Sequence, residues 1–333
     1  MPEDLGGGVW SVPVPIPGNP LAYTLVYALD GPRGPVLVDA GWQHEDAWSA
    51  LKGGLAVLGI DVGDVSGVVV THFHPDHAGL AGRVREASGA WVAMHPADAA
   101  LLATLRGVVE QDADGSWELD ALRRAGAAEG ELAGHRRHER VAPPAAPDRE
   151  LDDGELVDLP GRTLRAVWTP GHTPGHLCLH LEDGDRIFTG DHVLPRITPH
   201  IGLYPYDTPG VDPLGDFLAS LARVAKVPAG EVLPAHQYRF RGLAERAEAI
   251  AAHHEERLAE VTALLSAEPA TLWRLAAGMT WRAPWDAMPL TSRRMAAGEA
   301  AAHLRALERR GIARRVDAGG SLHFVLADAP TPS

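Results

Sequence analysis

The chain has 333 residues, of which 45% are hydrophobic and 22% are charged, so it can bury a substantial core and is not a disordered protein. This length exceeds what a single core usually supports, which predicts two domains or one domain with a large appendage. The formal net charge of −14 argues against broad nucleic-acid binding, because phosphate contacts need clustered cations.

The sequence favours neither a membrane protein nor a secreted one. No stretch approaches the roughly 18 consecutive apolar residues of a membrane-spanning helix. The N-terminal segment MPEDLGGGVW lacks the basic patch and apolar run of a secretory signal, so we expect a cytoplasmic protein. The single cysteine, Cys178, excludes an internal disulfide and a multi-cysteine metal site, and its strand-like surroundings predict a small buried residue.

Strand and helix patterns alternate in the first part of the chain. Residues 21–40 predict a β-hairpin around a Gly-Pro-Arg-Gly turn, and a helix is predicted over residues 46–58. A short apolar strand then ends in the polar loop THFHPDHAG, which enters a helix at Ala78, and WVAMHPADAALLATL predicts another strand and helix. This alternation predicts an α/β protein with layers of sheet and helix.

Residues 107–150 interrupt the alternation with helical stretches and the turn-rich segment VAPPAAPDRE. Two interpretations are open for this insertion: a lid over one rim of the main domain, or a solvated excursion of the surface.

The second half of the chain predicts short strands followed by helices. The strands are expected in LRAVWT, HLCLHL, DRIFTG and GEVLPA, and the pattern is helical from Gly242 to Ser266. Two further helices and a hairpin that turns on Ala-Gly-Gly follow, which is the order of a small winged-helix-like α+β domain. We therefore predict a main domain over residues 1–241, and a helical linker with this C-terminal domain over residues 242–333.

The segment from His72 to His77 contains four potential metal ligands in six positions. Alternate residues of an extended chain share a face, so His72 and His74 can point the same way. Pro75 then bends the chain, and Asp76 approaches from the start of the next helix. Burying three imidazoles and a carboxylate without a cation is unfavourable, whereas these groups are natural donors to a metal ion.

Three later strands also end at potential ligands. LRAVWT is followed by His172, DRIFTG by Asp191 and GEVLPA by His236. If these strands lie in one system of sheets, their ends share a rim and the side chains converge. A chance arrangement would need four unrelated strand ends to carry metal donors, so we interpret the set as a single metal site.

The strings THFHPDHAG, TPGHTPGH and FTGDH resemble the metal-binding signature of the metallo-β-lactamase-fold hydrolases, and the resemblance covers roughly residues 8–240. It implies an αββα sandwich with a two-metal site at one edge. The implied ligands are His72, His74 and His172 for the first metal, Asp76, His77 and His236 for the second, and Asp191 as a bridge between them.

Four other residues in or near these strings are expected to have roles other than binding metal directly, or have two interpretations open. Asp39, at the end of VLVDAG, resembles the strand-end aspartate of the superfamily and is expected to orient a ligand imidazole or to form a turn. His176 is expected to anchor its loop, and His192 to point away from the metal site. His95 ends another strand, where a role at the site and a purely structural role are both open.

The resemblance implies two divalent metal ions. Zinc is the default for imidazole and carboxylate donors, with iron or manganese as alternatives. Two ions about 3.5–4 Å apart would lower the pKa of a bridging water toward neutrality, and the resulting hydroxide would attack an acyl or phosphoryl centre. Asp76, beside this nucleophile, is the predicted catalytic residue for proton transfer.

The main hypothesis is therefore a dinuclear hydrolase of a small acyl substrate: a thioester, a lactone or another ester. The string TPGHTPGH and the segment His236-Gln-Tyr-Arg are similar to those of hydroxyacylglutathione hydrolases, but the positions that contact glutathione in that family have no match here. We expect a small-molecule substrate and neither a nucleic-acid nor a membrane partner. The sequence does not specify an oligomeric state.

The C-terminal region provides the alternative. A winged-helix-like tail after the last metal histidine resembles that of a branch of lactamase-like hydrolases that includes certain endoribonucleases. From Ala270 onward, nine arginines face five carboxylates, and the cluster around Arg305, Arg309 and Arg310 could contact phosphates or pair with acidic groups of the protein. A metal-dependent endoribonuclease is thus the second hypothesis, and a non-catalytic metal-binding protein is the third.

Overall fold

A computed structural model of the protein describes residues 1–111, 116–132, 144–204, 207 and 210–327. The chain forms two compact units and enters each of them more than once. The first unit comprises Met1–Gly107, Arg140–Pro199 and Ala219–Ala249, and the second comprises Val108–Glu139, His200–Leu218 and Ile250–Ser333. Within the described residues, no helix is long and apolar enough to cross a membrane.

A seven-stranded sheet forms one layer of the first unit. Its strands, in their order across the sheet, are β1 (Glu3–Asp4), β2 (Val9–Pro15), β3 (Tyr23–Leu29), β4 (Val36–Val38), β5 (Gly67–Val69), β6 (Trp91–Met94) and β7 (Arg149–Glu150). Neighbours are antiparallel from β1 to β4 and parallel from β4 to β7. The hairpin predicted over residues 21–40 is formed by β3 and β4.

A four-stranded sheet forms the second layer. Its strands are β8 (Leu164–Trp168), β9 (Leu177–Leu181), β10 (Arg186–Gly190) and β11 (Glu231–Pro234), in the order β11-β10-β9-β8. Each coincides with a strand predicted from the sequence. Strand β10 is parallel to β11, and β9 is antiparallel to β10 and to β8, so β8, β10 and β11 all run in the same direction.

The α-helices of the described residues are α1 (Glu45–Val57), α2 (Pro75–Ala78), α3 (Ala81–Ser88), α4 (Pro96–Gln111), α5 (Ser116–Ala125), α6 (Glu129–Leu132), α7 (Pro213–Val224), α8 (Leu243–Leu264), α9 (Leu272–Gly278) and α10 (Leu290–Arg309). The helices predicted over residues 46–58 and 242–266 correspond to α1 and α8, with ends that differ by one or two residues.

Alternate residues of β3 face different cores. Val26 and Ala28 belong to a core that includes residues of α1, α3 and α4, whereas Tyr27 and Leu29 belong to the core between the two sheets. Successive side chains of a strand point to opposite faces, so the larger sheet is covered by helices on one face and by the smaller sheet on the other. Helix α7 contacts the smaller sheet, where Arg223 donates to the carbonyl of Trp168. The predicted αββα sandwich is confirmed.

The second unit contains a three-stranded sheet. Its strands are β12 (Ala270–Thr271), β13 (Ala313–Ala318) and β14 (Ser321–Leu326), in the order β12-β14-β13. Strands β13 and β14 form a hairpin that turns at Gly319 and Gly320, both of which have a positive φ that glycine adopts readily. Helices α9 and α10 precede the hairpin in the expected order. The winged-helix assignment and the boundary after residue 241 stay predictions.

The insertion over residues 107–150 is divided between the two units. Helices α5 and α6 lie in the second unit, where Ser321 of β14 donates to the carbonyl of Arg123 at 3.4 Å. Strand β7, at the end of the insertion, is part of the first sheet. Residues 112–115 and 133–143 lie outside the described residues, so the lid interpretation stays a prediction.

Phe188 links the two sheets of the first unit. Its ring, fully buried in β10, packs edge-on against the ring of Tyr27 in β3, with 5.1 Å between the ring centroids. The Tyr27 hydroxyl donates to the carbonyl oxygen of Pro234 in β11 at 2.7 Å. The contact therefore combines apolar burial with a satisfied buried hydroxyl, just where β10 and β11 approach their carboxyl ends.

Replacing Phe188 by alanine should lower the free energy of unfolding by about 3–5 kcal/mol, because the truncation leaves a cavity between the sheets. Denaturation in guanidinium chloride, followed by circular dichroism, measures this change. Val57→Ala, at a position that is 75% exposed, is the control and should change the free energy by less than about 0.5 kcal/mol. Equal effects of the two substitutions would show that Phe188 does not stabilise the contact between the sheets.

Candidate metal centre

The candidate site lies at the ends of strands from both sheets. Strand β5 leads into the segment from His72 to His77, and β8, β10 and β11 are followed by His172, Asp191 and His236. Because β8, β10 and β11 run in the same direction, their carboxyl ends meet at one edge of the smaller sheet. The seven side chains predicted as ligands are brought together there, in overlapping groups that could each hold a metal ion.

Pro75 determines how the first segment reaches the site. It is the first residue of α2, a position where its missing N–H is tolerated and its fixed φ favours the helix. The preceding residue, His74, has an extended backbone with φ −58° and ψ 146°, as expected before a proline. This change from extended to helical backbone brings Asp76 and His77 to the same site as His72.

Three imidazole nitrogens form a close triangle. Nε2 of His72 lies 3.0 Å from Nδ1 of His74 and 3.2 Å from Nε2 of His172, and the latter two are 3.0 Å apart. We call these residues the three-histidine position. Three ring nitrogens that face one point cannot all satisfy one another, because each hydrogen bond needs a donor and an acceptor. A cation at that point can bind all three lone pairs.

A second group of donors lies beside the first. Oδ2 of Asp76 is 3.6 Å from Nε2 of His77 and 3.4 Å from Nε2 of His236, and we call these residues the second position. Oδ1 of Asp191 is 3.6 Å from Nε2 of His77 and 3.3 Å from that of His236. Its Oδ2 is 3.7 Å from Nε2 of His172. Asp191 therefore presents one oxygen to each position, an arrangement that would allow it to bridge two ions.

The donor set fits a metal ion. Three buried atoms at the second position have no hydrogen-bond partner: Nε2 of His77, Nε2 of His236 and Oδ1 of Asp191. Leaving a buried polar atom unsatisfied costs about 1–3 kcal/mol, and such atoms are therefore rare. A divalent cation among them would satisfy all three. Imidazole and carboxylate donors suit zinc, iron or manganese.

Burial favours the neutral form of two imidazoles of the three-histidine position, those of His72 and His74. It lowers the pKa of His74 to about 3, and the nearby ring of His172 adds to this shift. Burial also lowers the pKa of His72 well below its usual value, with His77 and His74 as further causes. A neutral imidazole has a free lone pair, so these rings can bind a metal at neutral pH without first losing a proton.

At the second position, nearby carboxylates raise the pKa values of the imidazoles. Burial alone would lower the pKa of His236, but the charge of Asp191 raises it to about 10. For His77, burial is likewise outweighed by Asp76 and Asp191, and its pKa lies well above the usual value. Burial would raise the pKa of Asp76, but His77 and His236 hold it at about 2. In the metal-free protein, these two imidazoles hold protons that a metal ion must displace.

Asp39 is hydrogen-bonded to candidate ligands of both positions, directly or through Thr71. Its Oδ2 accepts hydrogen bonds from Nδ1 of His77 at 2.8 Å and from the hydroxyl of Thr71 at 3.0 Å. The Thr71 hydroxyl in turn lies 3.1 Å from Nδ1 of His72. A proton held on Nδ1 leaves Nε2 of each ring free to face the site. Asp39 also adopts a left-handed backbone with φ 62°, and its role in orienting a metal ligand stays a prediction.

The histidines outside the two positions have structural contacts. Nε2 of His176 accepts the N–H of Asp191 at 3.2 Å, and its Nδ1 lies 2.8 Å from the hydroxyl of Thr169, which agrees with the loop-anchoring role expected for it. His95 stacks on Trp168, with ring planes 6° apart. His95 is in none of the metal-ligand groups that occur among the described residues.

Two buried residues that contact the ligand segments were not identified from the sequence. Thr71 bonds to Asp39, which lies 32 residues earlier in the chain. Asp98 accepts the N–H of Phe73, 25 residues earlier, at 2.9 Å. Neither pairing has a local sequence signal, because each depends on segments that only the sheet brings together.

Comparison with known proteins agrees with the fold. The sequence profile of the metallo-beta-lactamase superfamily matches residues 20–236. The lactamase-like protein adaB of Aspergillus niger is 35% identical over 115 residues, which are 34% of this chain and 33% of that protein. The lactamase-like protein nscB of Arthroderma otae is 32% identical over 127 residues, which are 38% and 34% of the two chains. The matches thus span about one third of the length of these curated relatives.

Two solved structures match almost the whole chain. A metallo-beta-lactamase family protein from Thermus thermophilus has a TM-score of 0.79 at 34% identity, covering 97% of this chain and 100% of that one. A beta-lactamase domain protein from Burkholderia ambifaria has a TM-score of 0.84 at 27% identity, covering 98% and 94%. The similarity to these structures therefore extends beyond the residues that the superfamily profile matches.

We expect the two positions to differ in the number of protons that metal binding releases. His172→Ala disrupts the three-histidine position and keeps the second, whereas His236→Ala does the reverse. An imidazole with a raised pKa is protonated at neutral pH, so Zn²⁺ binding to the His172→Ala protein should release more protons, and its affinity should increase as the pH rises. Calorimetry in buffers of different ionisation enthalpy counts these protons. Equal release by the two variants would contradict the assigned charge states.

Proposed function

This chain belongs to the metallo-beta-lactamase superfamily, and we propose that it is a metal-dependent hydrolase of a small acyl substrate that uses two divalent ions, with Zn²⁺ as the preferred metal. Thioesters are the first substrate class, followed by lactones and other esters. The observation that carries the proposal is the position of Asp191, whose two oxygens lie 3.3 Å from Nε2 of His236 and 3.7 Å from Nε2 of His172. A carboxylate shared in this way suits a pair of cations.

The proposed chemistry divides between the ions and the protein. Two bound divalent ions supply Lewis acidity and lower the pKa of water toward neutrality. Asp76 is the proposed catalytic residue: its carboxylate, in a side chain that is 15% exposed, would accept a proton from the attacking nucleophile. Asp39 keeps Nε2 of His77 directed at the site. The carbonyl of Tyr23 does the same for His236, from which it accepts the Nδ1–H at 2.9 Å.

The preference for thioesters rests on sequence similarity. The string TPGHTPGH and the segment that begins at His236 are similar to those of hydroxyacylglutathione hydrolases. Glutathione is not part of the proposal, because the positions that contact it in that family have no match here. Antibiotic hydrolysis is not proposed either, since the lactamase-like names of the relatives specify no substrate for this chain.

The contacts of the C-terminal arginines argue against the alternative, a metal-dependent endoribonuclease. Arg310 donates to both carboxylate oxygens of Glu255, at 2.8 and 2.7 Å. Arg309 donates to the carbonyl of Gly210. Guanidinium groups that are already bonded within the protein are less available to phosphates, and the net charge of −14 repels RNA from the molecule.

Asp76→Asn tests the two-metal mechanism, because the amide keeps the size of the side chain and removes its charge. Elemental analysis should find about two equivalents of transition metal in the wild-type protein and about one in the variant, which retains the three-histidine position. Turnover should fall at least about 100-fold if both ions are needed. Asp46→Asn, at a side chain that is 79% exposed, is the control. Unchanged turnover with full metal content would remove Asp76 from the mechanism.

A substrate panel separates the hydrolase from the nuclease. Acyl thioesters, lactones, aryl esters and a labelled single-stranded RNA are assayed with and without a chelator, and we expect chelator-sensitive turnover of a thioester and no cleavage of RNA. Arg309→Glu combined with Arg310→Glu should leave thioester turnover within about twofold, because neither side chain takes part in the acyl chemistry. Glu255→Gln is the matched control, since it breaks the ion pair of Arg310 and keeps both arginines.

Two results would contradict this expectation. Salt-sensitive RNA binding that the double arginine variant abolishes would favour the endoribonuclease. Full metal occupancy without turnover of any acyl substrate or RNA would favour a non-catalytic metal-binding protein.

A further inference from the structure

Asp98 is a fully buried carboxylate that belongs to no recognised motif. It lies in the first turn of α4, where an acidic side chain commonly interacts with the free N–H groups of its own helix. Here its oxygens accept three hydrogen bonds from other segments. Oδ2 accepts the N–H of Phe73 at 2.9 Å and the hydroxyl of Thr173 at 2.8 Å, and Oδ1 accepts the N–H of Gly175 at 2.6 Å.

These donors belong to the two segments that supply the three-histidine position. Phe73 lies between His72 and His74, and Thr173 directly follows His172. The N–H of Phe73 belongs to the planar peptide group that joins Phe73 to His72, so this bond constrains the backbone next to His72, two residues before His74. Asp98 therefore joins the segment of His72 and His74 to the segment of His172.

Glycine at position 175 permits this close approach. A Cβ at Gly175 would lie 2.4 Å from the backbone nitrogen of Asp98 and 2.7 Å from its Oδ1, which is too close for non-bonded atoms. The segment after His172 thus approaches the first turn of α4 more closely than a residue with a side chain would allow. The hydrogen bond from the N–H of Gly175 to Asp98 therefore depends on glycine at this position.

We propose that Asp98 is a positioning residue that sets the spacing of His72, His74 and His172, and thereby the metal affinity of the three-histidine position. The inference rests on the proposed metal centre but not on the identity of the substrate. The nitrogens of this position are 3.0–3.2 Å apart although they come from two segments, and Asp98 bonds to both. Removing a group that supports metal ligands from behind typically weakens metal binding about 10–100-fold.

Asp98→Asn tests the inference, because the amide has one acceptor oxygen and one donor nitrogen and so cannot accept all three hydrogen bonds. The substitution is made in the His236→Ala protein, which retains the three-histidine position, and in the His172→Ala protein, which retains the second. Zn²⁺ affinity is measured by competition with a chromophoric chelator. We expect a loss of about 10–100-fold in the first background and of less than about threefold in the second.

Two further variants separate positioning from a general effect on folding. Asp148 also accepts a backbone N–H, from Val92 at 3.0 Å, and a guanidinium N–H, from Arg85 at 3.0 Å, but it joins other segments. Asp148→Asn should therefore change the Zn²⁺ affinity less than about threefold in either background. Thr173→Val removes one of the three donors to Asp98 and should cause a smaller selective loss than Asp98→Asn. It tests the same contact if Asp98→Asn fails to fold, which circular dichroism of the metal-free protein would reveal.

The possible results are distinct. A loss confined to the three-histidine position, with an unchanged unfolding temperature of the metal-free protein, would support the positioning role. Equal losses in the two backgrounds, or no loss beyond that of Asp148→Asn, would overturn it. Failure of the His236→Ala protein to bind Zn²⁺ with Asp98 intact would overturn the proposed metal centre, and this inference with it.

Discussion

Seven candidate donor side chains face one buried space. The charge balance among them determines which of them favour protons and which residues must support them. In the three-histidine position, nitrogens 3.0–3.2 Å apart disfavour protons on one another. At the second position, the carboxylates of Asp76 and Asp191 attract positive charge to His77 and His236. A cation at the three-histidine position would bind the crowded imidazole lone pairs, and a cation at the second position would balance the carboxylate charge. The sheets and the residues that contact the candidate ligands from behind hold these donors in place.

Two kinds of contact support the candidate ligands: apolar packing between the sheets, and hydrogen bonds from buried polar residues. Phe188 and Tyr27 pack between the sheets close to the ends of the strands that lead to Asp191 and His236. Asp39 and Thr71, both buried, contact imidazoles of the segment from His72 to His77. A ligand supported in this way loses little entropy when a metal binds, because its ring is already oriented. The apolar core and the metal centre therefore form one continuous structure within the first unit.

Features that depend on residues close together in the sequence could be predicted, whereas contacts between residues far apart in the sequence could not. The strands of the smaller sheet and the ligands from His72 to His77 were predictable, because apolar runs and the spacing of donors are local features of the sequence. Asp39 was recognisable because it ends a strand and resembles the strand-end aspartate of the superfamily. Asp98 was not, since its three partners are 25, 75 and 77 residues away and an acidic residue in the first turn of a helix has an ordinary explanation.

The sequence by itself determined the α/β class, the order of strands and helices, and seven candidate donors, because periodicity and spacing are local features of the sequence. Tertiary structure decided which oxygen of Asp191 faces which group of histidines, which imidazoles have a lowered pKa and which a raised one, and how Asp98 and Thr71 contact the segments that carry them. It also decided that the chain returns repeatedly to each of its two units. These properties depend on distances and burial between segments that are far apart in sequence, and no local pattern encodes them.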